Sequence, residues 1–293
     1  MGAPLPPRAF TRSSSPPPMS ELVARHAVRT HTGLVREANE DDYLVLAEKG
    51  IYVVADGMGG HVAGKVASDL CVKTIREYFE DDALHGTLLD DSADAGLGED
   101  ALRLAESLLV SNRRIFEAAH EDRSLSGMGT TAVGLRLFGG QVAISHAGDS
   151  RCYLYRGGRL QQVTVDHSLS NFLLALGREL EAQYAEQTMS NVIMRALGLE
   201  EDVAVDTKEF PVQEGDRLLL CSDGLSDLVP DALLADGLGD DRISRDQLVD
   251  NFVDQALSAG GRDNITVLVV DIVDAASADT GTHRETLEVP IVG

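Results

Sequence analysis

The chain predicts an α+β fold in which two antiparallel β-sheets pack face to face with helices on both outer sides, a four-layer αββα sandwich. Three observations carry this. Short apolar runs of strand length recur along the chain, tight glycine turns join several of them into hairpins, and long amphipathic segments stand between the groups. Grouped hairpins need a cover on each exposed sheet face, and the amphipathic segments supply it.

Residues 51–55 and 217–221 are continuous apolar runs, while residues 130–137, 141–147 and 152–155 carry β-type patterns. Phe138-Gly139-Gly140-Gln141 and Tyr155-Arg156-Gly157-Gly158-Arg159 read as hairpin turns. Helical spacing links Val62, Val66 and Leu70, then Leu102, Ala105 and Leu109, and later Leu248, Phe252 and Ala256. Residues 1–20 hold six of the nine prolines together with Ser13, Ser14 and Ser15, a composition unable to pack a core, so they are expected to form a disordered leader. Residues 275–293 read as a flexible tail, which leaves one folded body over residues 21–274.

With 25 basic against 48 acidic side chains the formal net charge is −23, a field that repels nucleic acid and anionic membrane surfaces. Residues 81–100 contribute seven acids and no Lys or Arg, read as a solvated loop. Cys71, Cys152 and Cys221 lack paired spacing and sit in apolar surroundings, as core residues of a reducing compartment do. No apolar stretch is long enough to span a bilayer, and a soluble cytoplasmic monomer is expected.

Four acidic patches abut strand-like runs far apart in sequence: Glu40-Asp41-Asp42, Asp56-Gly57, Asp223-Gly224 and Asp263-Asn264. A carboxylate at the mouth of a buried strand is costly unless a cation or donor compensates it, and several converging ones suit a hard divalent ion. Each patch also has an ordinary reading: a solvated turn at residues 40–42, a turn after a strand at 56–57, a turn or helix start at 223–224, and a turn cap at 263–264.

The segments Arg36-Glu37-Ala38-Asn39-Glu40-Asp41, Val54-Ala55-Asp56-Gly57-Met58-Gly59-Gly60-His61, Gly127-Met128-Gly129-Thr130-Thr131, Ala147-Gly148-Asp149-Ser150-Arg151, Cys221-Ser222-Asp223-Gly224 and Gly261-Arg262-Asp263-Asn264 follow one another in an order that resembles the metal-dependent serine/threonine phosphatases of the PPM family, type 2C, over residues 28–272. The resemblance implies a phosphoprotein phosphatase of bacterial type with two Mn²⁺ or Mg²⁺ ions per site and a third, weaker one. It implies that Asp56 bridges the two ions, that Glu40 and the Gly57 carbonyl serve one, and that Asp223 and Asp263 hold the other. Asp149 matches the ligand of the third ion, with a plain turn beside Ser150 and Arg151 as its alternative. Asp41 matches a residue orienting bound water, and Arg36 the phosphate-binding arginine, a surface arginine being its alternative. Arg36, Asp41 and Asp56 are thus the expected catalytic residues. Many eukaryotic members carry their proposed acid directly after the Asp-Gly pair, where this chain has Met58, with His61 three residues on. His146 and His167 match no catalytic role. Residues 169–200 correspond to a mobile flap that affects substrate choice. Expected partners are phosphorylated proteins, a Ser/Thr kinase and its substrates among them. A catalytically silent phosphoprotein-binding relative is the alternative, and a small phosphomonoester or a phosphorylated regulator also stays open as substrate.

Overall fold

The computed structural model describes residues 22–60, 62–81, 86, 96–189, 192–275 and 289–290. The Pro/Ser-rich leader, His61, most of the acidic run and most of the C-terminal tail lie outside the described residues. In chain order the elements are β1 (Leu22–His31), β2 (Asp41–Leu46), β3 (Ile51–Met58), α1 (Val62–Glu80), α2 (Glu99–Glu121), β4 (Gly129–Phe138), β5 (Gln141–Ala147), β6 (Arg151–Arg156) and β7 (Arg159–Gln162). Then come α3 (Leu169–Ala175), α4 (Glu179–Thr188), β8 (Asp206–Pro211), β9 (Arg217–Cys221), α5 (Asp223–Ser226), α6 (Asp231–Leu238), α7 (Arg245–Ser258), β10 (Ile265–Asp274) and the two-residue β11 (Val289–Pro290).

The strands form two sheets, ordered β11-β1-β10-β9-β6-β7 and β2-β3-β4-β5-β8, and neighbouring strands pair antiparallel. The continuous apolar runs follow from burial on both faces, because successive side chains of a strand point opposite ways. On β3, Tyr52 and Val54 enter the layer between the sheets, while Val53 and Ala55 face α1 and α2. On β9, Leu218 and Leu220 enter that central layer, while Leu219 and Cys221 join the layer with α6 and α7. A helix therefore covers each outer face, as the four-layer reading requires. All three cysteines are fully buried.

Local chemistry fixes the connections. Gly139, Gly140, Gly157 and Gly158 all take φ between 49° and 80°, the left-handed pairs that a two-residue hairpin needs. Ser244 and Gln247 form a reciprocal capping box that starts α7. The acidic run ends differently from its loop reading: Glu99 and Asp100 open the first turn of α2, where carboxylates favour the helix dipole, and Asp100 pairs with Arg136 of β4.

Candidate metal centre

Every strand end that bears an acidic patch reaches the same end of the sandwich. In the β2–β3 pair Asp41 stands directly opposite Asp56. The other sheet reaches across to this pair: Ser222, just after β9, and Thr266 of β10 both donate to Asp41 Oδ2, at 2.9 and 2.6 Å. Asn264 ties the segments further. Its Oδ1 accepts from the Glu40 amide at 2.8 Å, and its Nδ2 donates to the carbonyls of Thr32 and Ala38, both at 2.9 Å.

Glycine makes the close packing possible at two positions. A Cβ on Gly57 would stand 2.1 Å from the Gly64 carbonyl oxygen, so the close approach that Gly57 permits is to α1. A Cβ on Gly64 would stand 1.9 Å from Glu40 Oε2, so a bare backbone there is what admits the Glu40 carboxylate. The sequence reading passed over Gly64 and gave Asn264, Ser222 and Thr266 no role. A glycine in the first turn of an otherwise good helix was the available signal, since it costs the helix about 1 kcal/mol relative to alanine.

Arg36, Glu40, Asp56, Gly57, Asp223 and Asp263 line one cleft of about 250 Å³. Asp149 lines a neighbouring cleft of about 480 Å³, which Asp223 shares together with Asp166, Asp227 and Glu186. The expected site residues are therefore brought together, Asp149 on the far side of Asp223. Arg36 Nη2 donates to Asp263 Oδ2 at 2.7 Å, and Asp263 Oδ1 accepts from the Asn264 amide at 2.8 Å. Among the described residues, no group of three or more His, Cys, Asp or Glu is arranged to hold a metal ion as the side chains stand.

The electrostatics nevertheless suit a cation. Burial, followed by the charges of Asp41, Asp223, Asp149 and Asp263, holds the Asp56 carboxyl well above the usual carboxylate range. Asp223 is raised likewise by burial and then by Asp149, Asp227, Asp263 and Asp41. Burial pushes Asp41 and Asp149 each up to about 6, the first against the pull of its two hydroxyl donors. Oδ1 of Asp41, Asp149 and Asp223 is buried without a hydrogen-bond partner. Buried oxygens that lack donors and raise one another's proton affinity fit hard divalent ions, whose charge would compensate them.

His146 and His167 stack with ring centroids 4.6 Å apart. The His167 amide donates to the Gly148 carbonyl at 3.0 Å, and its Nδ1 accepts from the Gly148 amide at 3.1 Å. Its own carbonyl accepts from Met194 at 2.7 Å, so this residue clips the Asp149 turn to the end of the α3–α4 segment. Burial, then the neighbouring His146, lowers the His167 ring to about 4, which keeps it neutral at pH 7.

Known proteins resemble this chain in sequence and fold. The chain is 39% identical over 246 residues to a protein of Listeria welshimeri named serine/threonine phosphatase stp, covering 83% of this chain and 94% of that one. It is 37% identical over 254 residues to the Mycobacterium tuberculosis serine/threonine protein phosphatase PstP, covering 86% of this chain and 46% of PstP. The solved catalytic domain of PstP, described as a complex with two manganese ions, superposes with a TM-score of 0.72 at 34% identity, covering 86% of this chain and all of that one. The family profile described as protein phosphatase 2C matches residues 32–265, and the chain belongs to that family.

Proposed function

We propose that this chain hydrolyses phosphoserine and phosphothreonine on proteins, with residues 21–274 as the catalytic body. The observation that carries the reading is the convergence of Asp41, Asp56 and Asp223 at one end of the sandwich, two of them with unpartnered buried oxygens. Two Mn²⁺ or Mg²⁺ ions, when bound, acidify a shared water and offset charge on the phosphoryl oxygens.

This chain's residues do the rest. Asp56 would hold both ions, Glu40 and the Gly57 carbonyl one, Asp223 and Asp263 the other, and Asp149 a third. Asp41, fixed by Ser222 and Thr266, orients the attacking water through its unpartnered Oδ1. Arg36 exchanges Asp263 for two phosphoryl oxygens, which its planar fork matches. Ground-state phosphate is thus gripped by a side chain that holds no metal. No helix among the described residues is long and apolar enough to cross a membrane; the proposed reading is a cytoplasmic monomer acting on a Ser/Thr kinase and its substrates.

Oxygen donors must surrender their ions to a chelator, so phosphopeptide turnover should require added Mn²⁺ or Mg²⁺ and stop with EDTA. Calorimetric Mn²⁺ binding without turnover of phosphopeptides or small esters would favour the silent binding relative. Full turnover in metal-free buffer would remove the two-ion centre.

A further inference from the structure

A second arginine stands beside the proposed phosphate grip. Arg262 immediately precedes Asp263 and lines a cleft of about 280 Å³ with Arg36, Asp223, Asp227 and Asp263. Its side chain is exposed, and among the described residues it makes no hydrogen bond or ion pair. That is unexpected in a chain of net charge −23. Asp227 feels the charge of Arg262 without pairing to it, and the carboxylate next in sequence, Asp263, is engaged by Arg36.

The backbone beneath Arg262 is fixed. Gly261 accepts from the Leu34 amide at 2.7 Å and donates to Ala256 at 3.0 Å. A Cβ on Gly33 would stand 2.1 Å from the Asp263 carbonyl oxygen, and Asn264 fastens the far side of the same loop to Thr32 and Ala38. The loops bearing Arg36 and Arg262 are therefore bolted together, and their spacing does not have to be ordered when a substrate arrives. A guanidinium so placed, paired with no carboxylate among the described residues and next to the phosphate grip, matches a second planar or tetrahedral anion.

We propose that Arg262 is a specificity-determining residue that binds a second anionic group of the substrate, a carboxylate or a further phosphate close in sequence to the phosphoresidue being hydrolysed. The inference rests on reading the site as a protein phosphatase centre. It makes the preferred substrate a phosphopeptide with acidic or multiply phosphorylated flanks.

The test compares wild type, Arg262→Ala, Arg262→Lys and Arg262→Glu with Mn²⁺ on four substrates: p-nitrophenyl phosphate, a phosphothreonine peptide with neutral flanks, and the same peptide with a neighbouring Glu or phosphoserine. Wild type should show the lowest KM for the anionic-flanked peptides. Arg262→Ala should raise those KM values about 5-fold, the scale of an exposed charge-assisted contact, and Arg262→Glu should raise them further. Arg262→Lys should fall between, keeping charge without the fork. Values for the neutral peptide and the small ester should not move, and the Glu and phosphoserine peptides show which anion is read. Equal KM for neutral and anionic-flanked peptides in wild type and variants, or one uniform loss on all four substrates, would overturn the role of Arg262. Hydrolysis of the small ester with no phosphopeptide turnover by wild type would instead overturn the protein phosphatase reading.

Discussion

The floor of the site and the α3–α4 flap above it are built on opposite terms. In the floor, Asp41 and Asp56 stand opposite each other on paired strands, Glu40, Asp223 and Asp263 adjoin the ends of β2, β9 and β10, and the hydroxyls of Ser222 and Thr266 lock Asp41 in place. Among the described residues of α3 and α4, Leu173, Ala182 and Ala185 form one small buried cluster, while Phe172, Leu174, Leu180 and Tyr184, and Leu176 between the two helices, are exposed. The flap is fastened at its return, where Thr130 and Leu197 exchange two backbone hydrogen bonds of 3.0 and 2.8 Å. Groups that must hold charge at fixed spacing are thus placed where cooperative unfolding would be needed to move them. The flap rests on a few contacts and can open locally.

Substitutions can break this contrast. The largest expected effect is from Asp56→Asn, which should lower turnover about 10³-fold or more, the scale of removing a central catalytic group. The metal-free variant should nevertheless be no less heat-stable than wild type. An aspartate whose proton affinity is raised by burial and like charges destabilises the fold at pH 7, above its unfolded pKa, and asparagine removes that charge. A fall in metal-free Tm would show that Asp56 is structural.

Gly64→Ala is next. The added methyl must displace Glu40 Oε2, so Mn²⁺ affinity by calorimetry should drop by about 10- to 100-fold, as for loss of a supporting contact at a metal site. Unchanged affinity would mean that Glu40 is not a ligand.

The smallest effect sharpens the comparison. Leu220→Ala, in the layer between the sheets, should cost about 2–5 kcal/mol of global stability in denaturant melts. Leu173→Ala should leave the global midpoint unmoved while speeding amide exchange across residues 169–189, because its cluster is confined to the flap. Equal shifts in the two midpoints would make flap and floor one cooperative unit.

The residue pattern alone determined most of the sandwich, because strands buried on both faces must read as unbroken apolar runs and hairpin turns need glycine at positive φ. Residues 217–221 and 141–147 match β9 and β5 end to end for this reason. β1, β2 and the flap helices were not legible: Leu22–His31 mixes Arg and His with apolar residues, and α4 buries only two alanines. The acidic patches were visible in sequence because each adjoins a buried run.

Which patch faces which was decided only by the tertiary structure. Register set Asp41 against Asp56, packing of two separate sheets brought Ser222 and Thr266 to Asp41, and the fit of α1 against β3 gave Gly57 and Gly64 their purpose. Proton affinities and close approaches depend on distances between residues as many as 225 positions apart, as Asp41 and Thr266 are, and no local pattern encodes such distances.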